Sequence, residues 1–550
     1  MSERSCGEQV PWLLRELGVD TVFGLPGVHS LEFYRSLEAA GITHVSARHE
    51  QGAGFMADGY ARAGRRPGVA MLISGPGVTN AATPLGQAYS DSVPLLLLTA
   101  AVAHEDLGMD RGALHDIRDQ RALTAPITGL SAMAHVPAQV PHYLALARSR
   151  FESMRPRPVH LSIPLDVLTV PAGNADSVPG LPPAPSRPGP DPRAIARLAE
   201  RLSAACNPLV LAGGGAIGAA ARVRELVERT GALFVSTVAG KGILPDSHPL
   251  SLGSTLQRLA TREAVAEADL VLAIGTEIAE PDLYVTADAE ASGEVPAEML
   301  EPRLLIRGEF ARIDIDPEVL LRDQYPDPAI VADADLALAA LCLALPGDGP
   351  AAGGQGERAT VIRAANGAAL SALERAHQQV LDAVRAALPE DGLIYADMAQ
   401  IGYTGCITFP VEQPACWHFP MGYGTLGYAL PAAIGGQLAC PRRAVVVLVG
   451  DGGLQFTLQE LATAVEQSLP LAIVLWDNAA LGEIADFMRA RGIPQIGTHP
   501  PNPDFTAVAR AWGMYHAAPA TAADVTHAVA NALTADGPTL IHVRQEWFAQ

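Results

Sequence analysis

Short apolar runs alternate with amphipathic stretches along most of the chain. Runs such as AVVVLVG and LAIVLW contain almost no polar residues, which is typical of strands buried on both faces of a parallel sheet. Between these runs, stretches such as FTLQELATAVEQS place apolar residues at helical spacing. Strands and helices that alternate in this way form βαβ units with right-handed crossovers. We therefore predict an α/β fold of doubly wound parallel sheets.

Two segments interrupt the pattern and predict three domains. The Pro-rich segment 170–192 cannot hold a helix or a central strand, and the Gly-rich segment 345–359 is expected to be mobile. The domains are then predicted at residues 1–172, 190–345 and 365–550, a number that suits a chain of 550 residues. Their predicted strands lie near TVFGL, HVSA, VAMLIS and LLLLTA, then PLVLAGG, LFVST, LVLAIG and ARIDID, then GLIYAD, AVVVLVG, LAIVLW and TLIHV.

The composition excludes several classes of protein. Apolar residues make up 49% of the chain and charged residues 18%, so each domain can bury a core of its own. A net charge of -21 argues against a nucleic-acid partner. The six cysteines form no CxxC pair, which predicts free thiols in a reducing compartment. The N-terminus lacks a signal-peptide pattern and no run is long enough for a membrane span, so we predict a cytoplasmic protein with no membrane partner.

Polar side chains follow two neighbouring strands of the last domain. Asp451 comes directly after AVVVLVG, and Asn478 follows LAIVLW. Because the carboxyl ends of parallel strands meet at one edge of a sheet, we expect these side chains to lie side by side. Their oxygens suit Mg²⁺ together with a phosphate-bearing ligand, and Gly452 and Gly453 allow close approach to the backbone. A tight turn with an Asp N-cap is the alternative for GDG alone, and Asn478 favours the metal site.

A third polar residue, Glu50, lies where an apolar strand gives way to a small-residue helix in HVSARHEQGAGFMADGYARA. A carboxyl group in such a poorly solvated place tends to stay protonated or to share a proton, which suits acid–base work. The alternative is a helix N-terminal charge that only satisfies the helix dipole.

The segments GDGG, WDNAALGEI and HEQGAGFMADGYAR resemble the cofactor motifs of thiamine diphosphate-dependent enzymes. The resemblance implies that Asp451, Asn478 and the carbonyl of Ala480 hold Mg²⁺, which binds the cofactor's diphosphate. It also implies that Glu50 activates the cofactor's aminopyrimidine ring. The family often has Asn-Asn where this chain has Asp477 before Asn478, so the departure concerns the neighbour of the ligand.

Two further segments match the same family. HFPMGYGTLGYALPAAIGGQ is similar to the part that wraps the pyrimidine, which implies backbone contacts from Gly424 and Leu426 and a wedge formed by the Leu426 side chain. ADMAQ ends a strand where the family contacts the diphosphate, and Gln400 matches a glutamine commonly found there. Gly452 and Gly453 complete the cofactor-binding residues that the resemblance implies.

The likeness covers nearly all of the chain and indicates the acetolactate synthase-like branch. It includes FGLPGVHS, ISGPGVTN and SDSVPLLLLTA in the first domain and GKGILPDSHPLSLG, EADLVLAIG and IDIDP in the middle one. In this branch the glutamate of one subunit meets the GDG domain of the other. The resemblance therefore implies a homodimer as the minimal active unit, with a homotetramer as the expected assembly.

The predicted reaction depends on departures from the acetolactate synthases, which typically carry Phe-Gln where this chain has His115 and Asp116. Titratable groups there suit proton transfer after loss of CO₂, as in a simple 2-oxo acid decarboxylase. In the middle domain, GTEIAEPDLY replaces an Arg-containing stretch of FAD-binding members, so FAD is not expected.

Within the branch, TVFGLPGVHSLEFYRSL, the LHD stretch and GTE are similar to decarboxylases of 5-guanidino-2-oxopentanoate (2-ketoarginine). A guanidinium tail requires carboxylates in bidentate geometry. The candidates are Asp116 first, then Glu277 and Glu280, with His29 as a further pocket residue. A solvated loop is the alternative for the two glutamates, and a helix-start histidine without a ligand role is the alternative for His29.

Three other functions are alternatives to a 2-oxo acid decarboxylase. A carboligase of acetolactate synthase type would condense pyruvate or another small 2-oxo acid. A nicotinamide dehydrogenase is suggested by AGGGAIGAA after a strand, but this stretch lacks clean GxGxxG spacing and a matched acidic residue. A non-catalytic regulatory subunit is disfavoured because Glu50, Asp451 and Asn478 are all present.

Overall fold

The computed structural model describes residues 3–174, 180–284, 303–322, 324–346 and 354–548. It contains three parallel sheets of six, five and six strands, and a separate antiparallel pair. Hydrophobic clusters cover both faces of each sheet. The predicted α/β class with doubly wound parallel sheets is therefore confirmed.

The first sheet has the strand order β3-β2-β4-β5-β7-β6, and β1 pairs with β8 outside it. The strands are β1 (Glu3–Ser5), β2 (Thr21–Gly24), β3 (Thr43–Ser46), β4 (Gly68–Leu72), β5 (Leu95–Ala101), β6 (Leu130–Met133), β7 (Val159–Pro164) and β8 (Pro171–Asn174). The helices are Cys6–Glu16, Leu31–Tyr34, Glu50–Gly64, Pro76–Asn80, Ala82–Ser90, Gln120–Thr124, Gln139–Ser153 and Leu165–Leu168.

The middle sheet has the order β10-β9-β11-β12-β13. Its strands are β9 (Pro208–Ala212), β10 (Leu233–Ser236), β11 (Leu270–Ile274), β12 (Glu309–Asp314) and β13 (Ala329–Val331). The helices around it are Pro192–Ala204, Ala220–Thr230, Leu259–Glu267, Ala334–Ala344 and Gln355–Ala368.

The last sheet has the order β15-β14-β16-β17-β19-β18. Its strands are β14 (Leu393–Ala396), β15 (Trp417–His418), β16 (Val445–Gly450), β17 (Leu471–Asp477), β18 (Tyr515–Ala517) and β19 (Thr539–Arg544). The helices are Ala372–Ala387, Gln400–Thr408, Ala429–Ala439, Asp451–Phe456, Leu461–Glu466, Gly482–Ala490, Phe505–Ala511 and Ala522–Ala532.

The first and last sheets share one hydrophobic core, which is built around two closely packed helices, Glu50–Gly64 and Ala429–Ala439. A Cβ atom on Gly59 would collide with the carbonyl oxygen of Ala432, and one on Gly435 would collide with the carbonyl oxygen of Met56. Only glycine lets the two helix backbones approach this closely. The contact holds the first and last domains of one chain together.

A buried ionic network runs beside this helix contact. Asp58 is fully buried and accepts hydrogen bonds from Arg62 Nε at 2.6 Å and from the Tyr428 hydroxyl at 3.0 Å. Arg62 also donates to Asp91 at 2.7 Å, and Asp91 accepts from the amide of Gly422 at 2.8 Å. Burial raises the pKa of Asp58, and the charge of Arg62 opposes this shift. The network ties the loop before helix Ala429–Ala439 to the first domain.

The segment 345–359 is not a mobile linker throughout, because its described end forms part of helix Gln355–Ala368. Ala359 and Ile362 of this helix are buried against the middle sheet, and Asn366 donates to Thr261 at 2.9 Å. The prediction was wrong here because glycines dominate the stretch before the helix and hide its apolar positions. The rest of that segment, residues 347–353, lies outside the described residues.

The described parts of the Pro-rich segment are held against the first domain. Its first residues, Pro171–Asn174, form strand β8, which pairs with β1. Leu181 is buried in that domain's core, and Arg148 donates to the carbonyl of Pro182 at 3.0 Å. All six cysteines are free thiols, as predicted. Among the described helices, none combines the length and apolarity that a membrane crossing requires.

We expect Gly435→Ala to lower the free energy of unfolding by about 1–3 kcal/mol, because the new methyl group overpacks the helix contact. Urea or thermal unfolding would measure the change. Gly367→Ala is the matched control, since nothing lies within 4 Å of a Cβ there and the residue is also helical. That substitution should stabilise the chain by up to about 1 kcal/mol. Equal effects of the two substitutions would contradict the close-packing argument.

Candidate active site

The sheet edge predicted from GDG and DN is formed by β16 and its neighbour β17. The two strands are parallel and pair Gly450 with Trp476, so Asp451 and Asp477 leave them side by side. Asn502 bridges these carboxylates, because its Nδ2 donates to Asp451 Oδ2 at 2.7 Å and to Asp477 Oδ1 at 2.9 Å. Oxygen atoms that could bind a metal are therefore close together at this edge, where the carboxyl ends of two strands meet one amide side chain.

Asn478 and Ala480 border a cavity of about 620 Å³ at this edge, and Gln400 and Gly482 also line it. Asn478 Nδ2 donates to Gln400 Oε1 at 3.3 Å, and the amide of Ala480 donates to Asn478 Oδ1 at 3.1 Å. A Cβ on Gly482 would lie 2.5 Å from Gln400 Oε1 and 2.6 Å from Asn478 Nδ2. The absence of a side chain at Gly482 therefore keeps this polar recess open.

The edge suits a divalent cation and a diphosphate. Asp451 is only 3% exposed, and burial raises its pKa despite the hydrogen bond from Asn502, with the charge of Asp477 adding to the shift. The raised pKa means that the surrounding protein groups do not fully stabilise the negative charge of Asp451. A bound Mg²⁺ would stabilise it. No group of three His, Cys, Asp or Glu side chains in the described ranges could hold a metal by itself. The expected ligands are instead one carboxylate, one amide and one carbonyl.

Asp477, the departure from the family pattern, has its own partner. His542 on the adjacent strand β19 contacts Asp477 Oδ2 through Nε2 at 2.7 Å. Burial alone would raise the pKa of Asp477, but the hydrogen bond from His542 holds it below its ordinary value. An aspartate is tolerated beside Asn478 because this histidine stabilises its charge.

The loop implied to wrap a pyrimidine lies against the same edge. Gly424 and Gly427 both have positive φ angles, of 69° and 79°, and Leu426 between them is half-buried. The hydroxyl of Thr457, just after the GDG helix, donates to the carbonyl of Gly427 at 2.9 Å. Asp397 at the end of β14 accepts from the amide of Gly427 at 3.0 Å.

Asp397 joins the pyrimidine and diphosphate segments. It is fully buried, and burial raises its pKa to about 7 although backbone amides donate to it. A Cβ on Gly453 would lie 3.2 Å from its carboxyl group, so the GDGG turn packs directly on this side chain. Asp397 belongs to the segment ADMAQ, in which the sequence predicted a role only for Gln400.

Glu50 begins helix Glu50–Gly64 and accepts a hydrogen bond from Asn80 Nδ2 at 2.9 Å. The preceding turn is fixed by Glu460 of the last domain, whose carboxylate accepts from the amides of Arg48 and His49 at 3.1 Å and 3.0 Å. Glu50 is not among the residues that line the 620 Å³ cavity. Within one chain, the Glu50 segment and the diphosphate recess are therefore separate.

His29 and His115 meet at the carboxyl edge of the first sheet, with ring centroids 5.2 Å apart in an edge-to-face arrangement. His29 Nδ1 also contacts Ser74 Oγ at 2.8 Å. Burial, and then the charge of His115, lower the pKa of His29 below its ordinary value. His115 has a φ angle of 62°, a left-handed conformation that is uncommon for such a residue and is often found at functional sites.

Asp116 lines a second cavity, of about 220 Å³, together with His115. Its Oδ1 is buried and has no hydrogen-bond partner among the described residues. Val102, Leu107 and Met133 supply apolar wall to this cavity. A buried carboxylate oxygen without a partner is costly, and a cationic ligand would compensate it.

The structure does not bring Glu277 and Glu280 to this cavity. Glu277 is ion-paired with Arg155 at 2.8 Å and with Arg322. Burial alone would raise the pKa of Glu277, but Arg155 and Arg322 hold it below its ordinary value. Glu280 is exposed, which agrees with the alternative of a solvated loop. We therefore retain neither residue as a substrate ligand.

The sequence assigned no role to several polar residues that contact the site segments, among them Asn80, Asp397, Glu460, Asn502 and His542. Each contacts a residue at least 30 positions away in the chain. Asn80 ends the motif ISGPGVTN, where its side-chain amide could have marked it, and Asp397 lies in ADMAQ. The other three lie in stretches without a motif.

Comparison with protein families matches three stretches of the chain to one class of enzyme. Residues 4–123 match the family model described as thiamine pyrophosphate enzyme, N-terminal TPP binding domain. Residues 195–341 match the central domain of the same enzymes, and residues 400–543 match their C-terminal TPP binding domain. The chain belongs to the thiamine pyrophosphate (thiamine diphosphate) enzyme family, which confirms the resemblance that its sequence motifs indicated.

Among curated relatives, the probable 2-ketoarginine decarboxylase AruI of Pseudomonas aeruginosa is 46% identical over 542 residues, which cover 98% of this chain and 94% of that protein. The acetolactate synthase isozyme 1 large subunit of Escherichia coli is 33% identical and covers 98% of this chain and 93% of its own length. The acetolactate synthase large subunit of Lactococcus lactis is 32% identical, with coverages of 96% and 90%. The acetolactate synthase-like branch is thereby confirmed.

Asp282, the third acid of GTEIAEPDLY, gives a pH-dependent prediction. Burial raises its pKa to about 7. A hydrogen bond from the amide of Val238 lowers this pKa, and the negative charges of Asp91 and Glu277 raise it further. The ordinary pKa of an unfolded aspartate is about 3.9, so the stability gained by protonation is present below about pH 4 and is lost as the pH rises to about 7. Asp282→Asn should abolish this loss, which amounts to a few kcal/mol at most.

Thermal unfolding midpoints at several pH values between about 5 and 8 would measure the effect. The midpoint of the unchanged protein should fall relative to that of Asp282→Asn as the pH rises. Glu280→Gln, which removes an exposed acid from the same stretch, should follow the unchanged protein. Parallel pH curves for all three proteins would refute the argument.

Proposed function

We propose that this enzyme catalyses the thiamine diphosphate- and Mg²⁺-dependent, non-oxidative decarboxylation of a 2-oxo acid. The substrate we favour is 5-guanidino-2-oxopentanoate, which would give 4-guanidinobutanal and CO₂. The observation that carries this choice is the buried Asp116 carboxylate oxygen, which has no partner in the described part of the chain and lies in a cavity beside His115. The similarity to the probable 2-ketoarginine decarboxylase supports the same substrate.

The residues at the sheet edge suit the cofactor. Asp451, Asn478 and the carbonyl of Ala480 would hold Mg²⁺, and Gln400, Gly452 and Gly453 would face the diphosphate. Gly424 and Leu426 would contact the pyrimidine, with Glu50 at its ring nitrogen. When bound, thiamine diphosphate supplies the electron sink that allows CO₂ to leave. The expectation that FAD does not bind stays a prediction.

The side chains of the first domain would handle protons and orientation. His115 would donate a proton as the aldehyde forms. Its ring contacts that of His29, and its backbone is left-handed. The lowered pKa of His29 keeps that ring neutral near pH 7, so it acts as a hydrogen-bond partner of Ser74. The apolar surroundings limit water at the reacting atoms.

Asp116 would bind the guanidinium end of the substrate. A planar guanidinium donates two parallel hydrogen bonds to a carboxylate, and three methylene groups suit the apolar wall of the cavity. Arg121 also lines the cavity, but it lies 3.5 Å from Asp119, which offsets its charge. Arg118 lines the cavity as well and is exposed.

Substrate comparison is the first test of this function. With thiamine diphosphate and Mg²⁺ present, we expect rapid CO₂ release and an aldehyde from 2-ketoarginine, and little from pyruvate or benzoylformate. CO₂ assays and product mass spectrometry measure this outcome, with Glu50→Gln as the blank. Acetolactate from pyruvate would instead make the protein a carboligase, the alternative that the acetolactate synthase relatives support.

The role of Asp116 has a separate test. Asp116→Asn should lower kcat/KM for 2-ketoarginine by about 10- to 100-fold, because a hydrogen-bonded charge pair is lost. The same variant should change kcat/KM for 2-oxohexanoate, which lacks the charge, much less. Asp110→Asn is the matched control, since it removes an exposed charge from the same loop and does not line the cavity. An equal loss with both substrates would exclude Asp116 as the guanidinium partner.

We further propose that two chains build each active site, in at least a homodimer and as a homotetramer in the full assembly. Large apolar side chains are exposed directly beside the site residues of both domains. Val28 is 73% and Leu114 64% exposed in the first domain, and Tyr423 and Phe456 are each 53% exposed in the last. A second copy of the chain would cover them, and would bring its own Glu50 to the pyrimidine loop that contains Gly424 and Leu426. The reducing, cytoplasmic location stays a prediction.

Mixed dimers would test the shared site. Glu50→Gln and Asp451→Asn should each be inactive alone, and mixed dimers should regain roughly one half of the unchanged activity, because each would hold one intact site out of two. Subunits would be mixed by co-expression with two tags and purified through both. Inactive mixed dimers, with doubly tagged unchanged dimers fully active, would mean that each site lies within one chain.

A further inference from the structure

One short segment of the first domain contacts three of its four candidate site residues. Ser74 Oγ lies 2.8 Å from His29 Nδ1, and Asn80 Nδ2 donates to Glu50 Oε2 at 2.9 Å. Between them, a Cβ on Gly75 would lie 2.5 Å from the carbonyl oxygen of His115. Residues 74–80 therefore connect the cofactor-activating carboxylate with the two histidines of the substrate side.

The backbone explains why one segment can do this. Strand β4 ends at Leu72, and Gly75 turns the chain with a φ angle of 61°. The five-residue helix Pro76–Asn80 then carries Asn80 to the start of helix Glu50–Gly64. The side chain of Asn80 is half-buried, so it is partly shielded from solvent.

The chemistry of an amide donor suits the role of Glu50. An asparagine amide donates a hydrogen bond without adding charge and cannot take up the proton that a carboxyl group shares with a ligand. By occupying Oε2, it fixes the carboxylate rotamer and leaves Oε1 for the ring nitrogen of the cofactor. An aspartate of the same shape could not donate when ionised, and would repel Glu50.

We propose that Asn80 is a positioning residue that holds Glu50 in the orientation that activates the cofactor. The proposal rests on the activating role of Glu50 in the proposed function, but not on the identity of the 2-oxo acid. It predicts that Asn80 matters before any substrate binds. Binding of the diphosphate, at the opposite end of the cofactor, should depend on it little.

The test measures deuterium exchange at C2 of bound thiamine diphosphate without substrate, by acid quench and NMR, in the Mg²⁺-loaded protein. Asn80→Asp and Asn80→Ala should slow exchange by about 10-fold or more, the effect of losing a hydrogen bond to a charged group. Cofactor affinity, titrated by protein fluorescence, should change by less than about 3-fold, because the diphosphate contacts are untouched. Thr79→Ala is the matched control on the same helix, since Thr79 is exposed and its hydroxyl donates to the carbonyl of Pro76 in its own turn at 3.2 Å.

The outcomes separate this inference from the proposed function. Slow exchange in both Asn80 variants, with exchange in Thr79→Ala unchanged, supports it. Normal exchange in the Asn80 variants, beside slow exchange in Glu50→Gln, overturns it and leaves Glu50 in its role. Normal exchange in Glu50→Gln overturns the role of Glu50 as well. If exchange, cofactor affinity and thermal midpoint all fall together, Asn80 is only structural and the inference also fails.

Discussion

The close contact between helices Glu50–Gly64 and Ala429–Ala439 is the constraint on which the active-site geometry depends. Gly59 and Gly435 allow each helix to touch the backbone of the other, and the surrounding core is shared by the first and last sheets. Each helix is also attached to a site segment. The first begins at Glu50, and the second follows the loop that contains Gly424 and Leu426. A shift of one helix against the other would move both segments.

Charge compensation separates the acids that serve contacts within the chain from those proposed to bind a ligand. Asp58 has Arg62, and Glu277 has Arg155 and Arg322, so both carboxylates serve contacts within the chain. Asp451 instead keeps a raised pKa, and Asp116 keeps a buried oxygen that accepts a hydrogen bond from none of the described residues. Such uncompensated groups are costly unless a ligand completes them. They coincide with the proposed metal site and the proposed guanidinium site.

The strand pattern was recognisable where a strand is a continuous apolar run, as in β5 and β16. It failed for β7, whose sequence VHLSIP contains a histidine and a serine, because both are buried by specific partners. His160 contacts Thr99 and Thr124 at 2.8 Å each, and burial lowers its pKa to about 3, so it remains neutral in the core. Strands β15 and β18 were not predicted, because they contain only two and three residues and are too short to show the alternation of a strand.

The sequence by itself determined the features that depend on neighbours in the chain. An apolar run followed by GDG, or a strand followed by a small-residue helix at Glu50, specifies a sheet edge and the groups placed there. Tertiary structure decided everything that depends on distant residues. Asn502 bridges Asp451 and Asp477, and two arginines form ion pairs with Glu277. These contacts join positions separated by 25 to 122 residues. The periodicity of the sequence does not predict such pairs, because it reports only local structure. The pairs form when the sheets and helices have packed, since the charges that packing buries need partners.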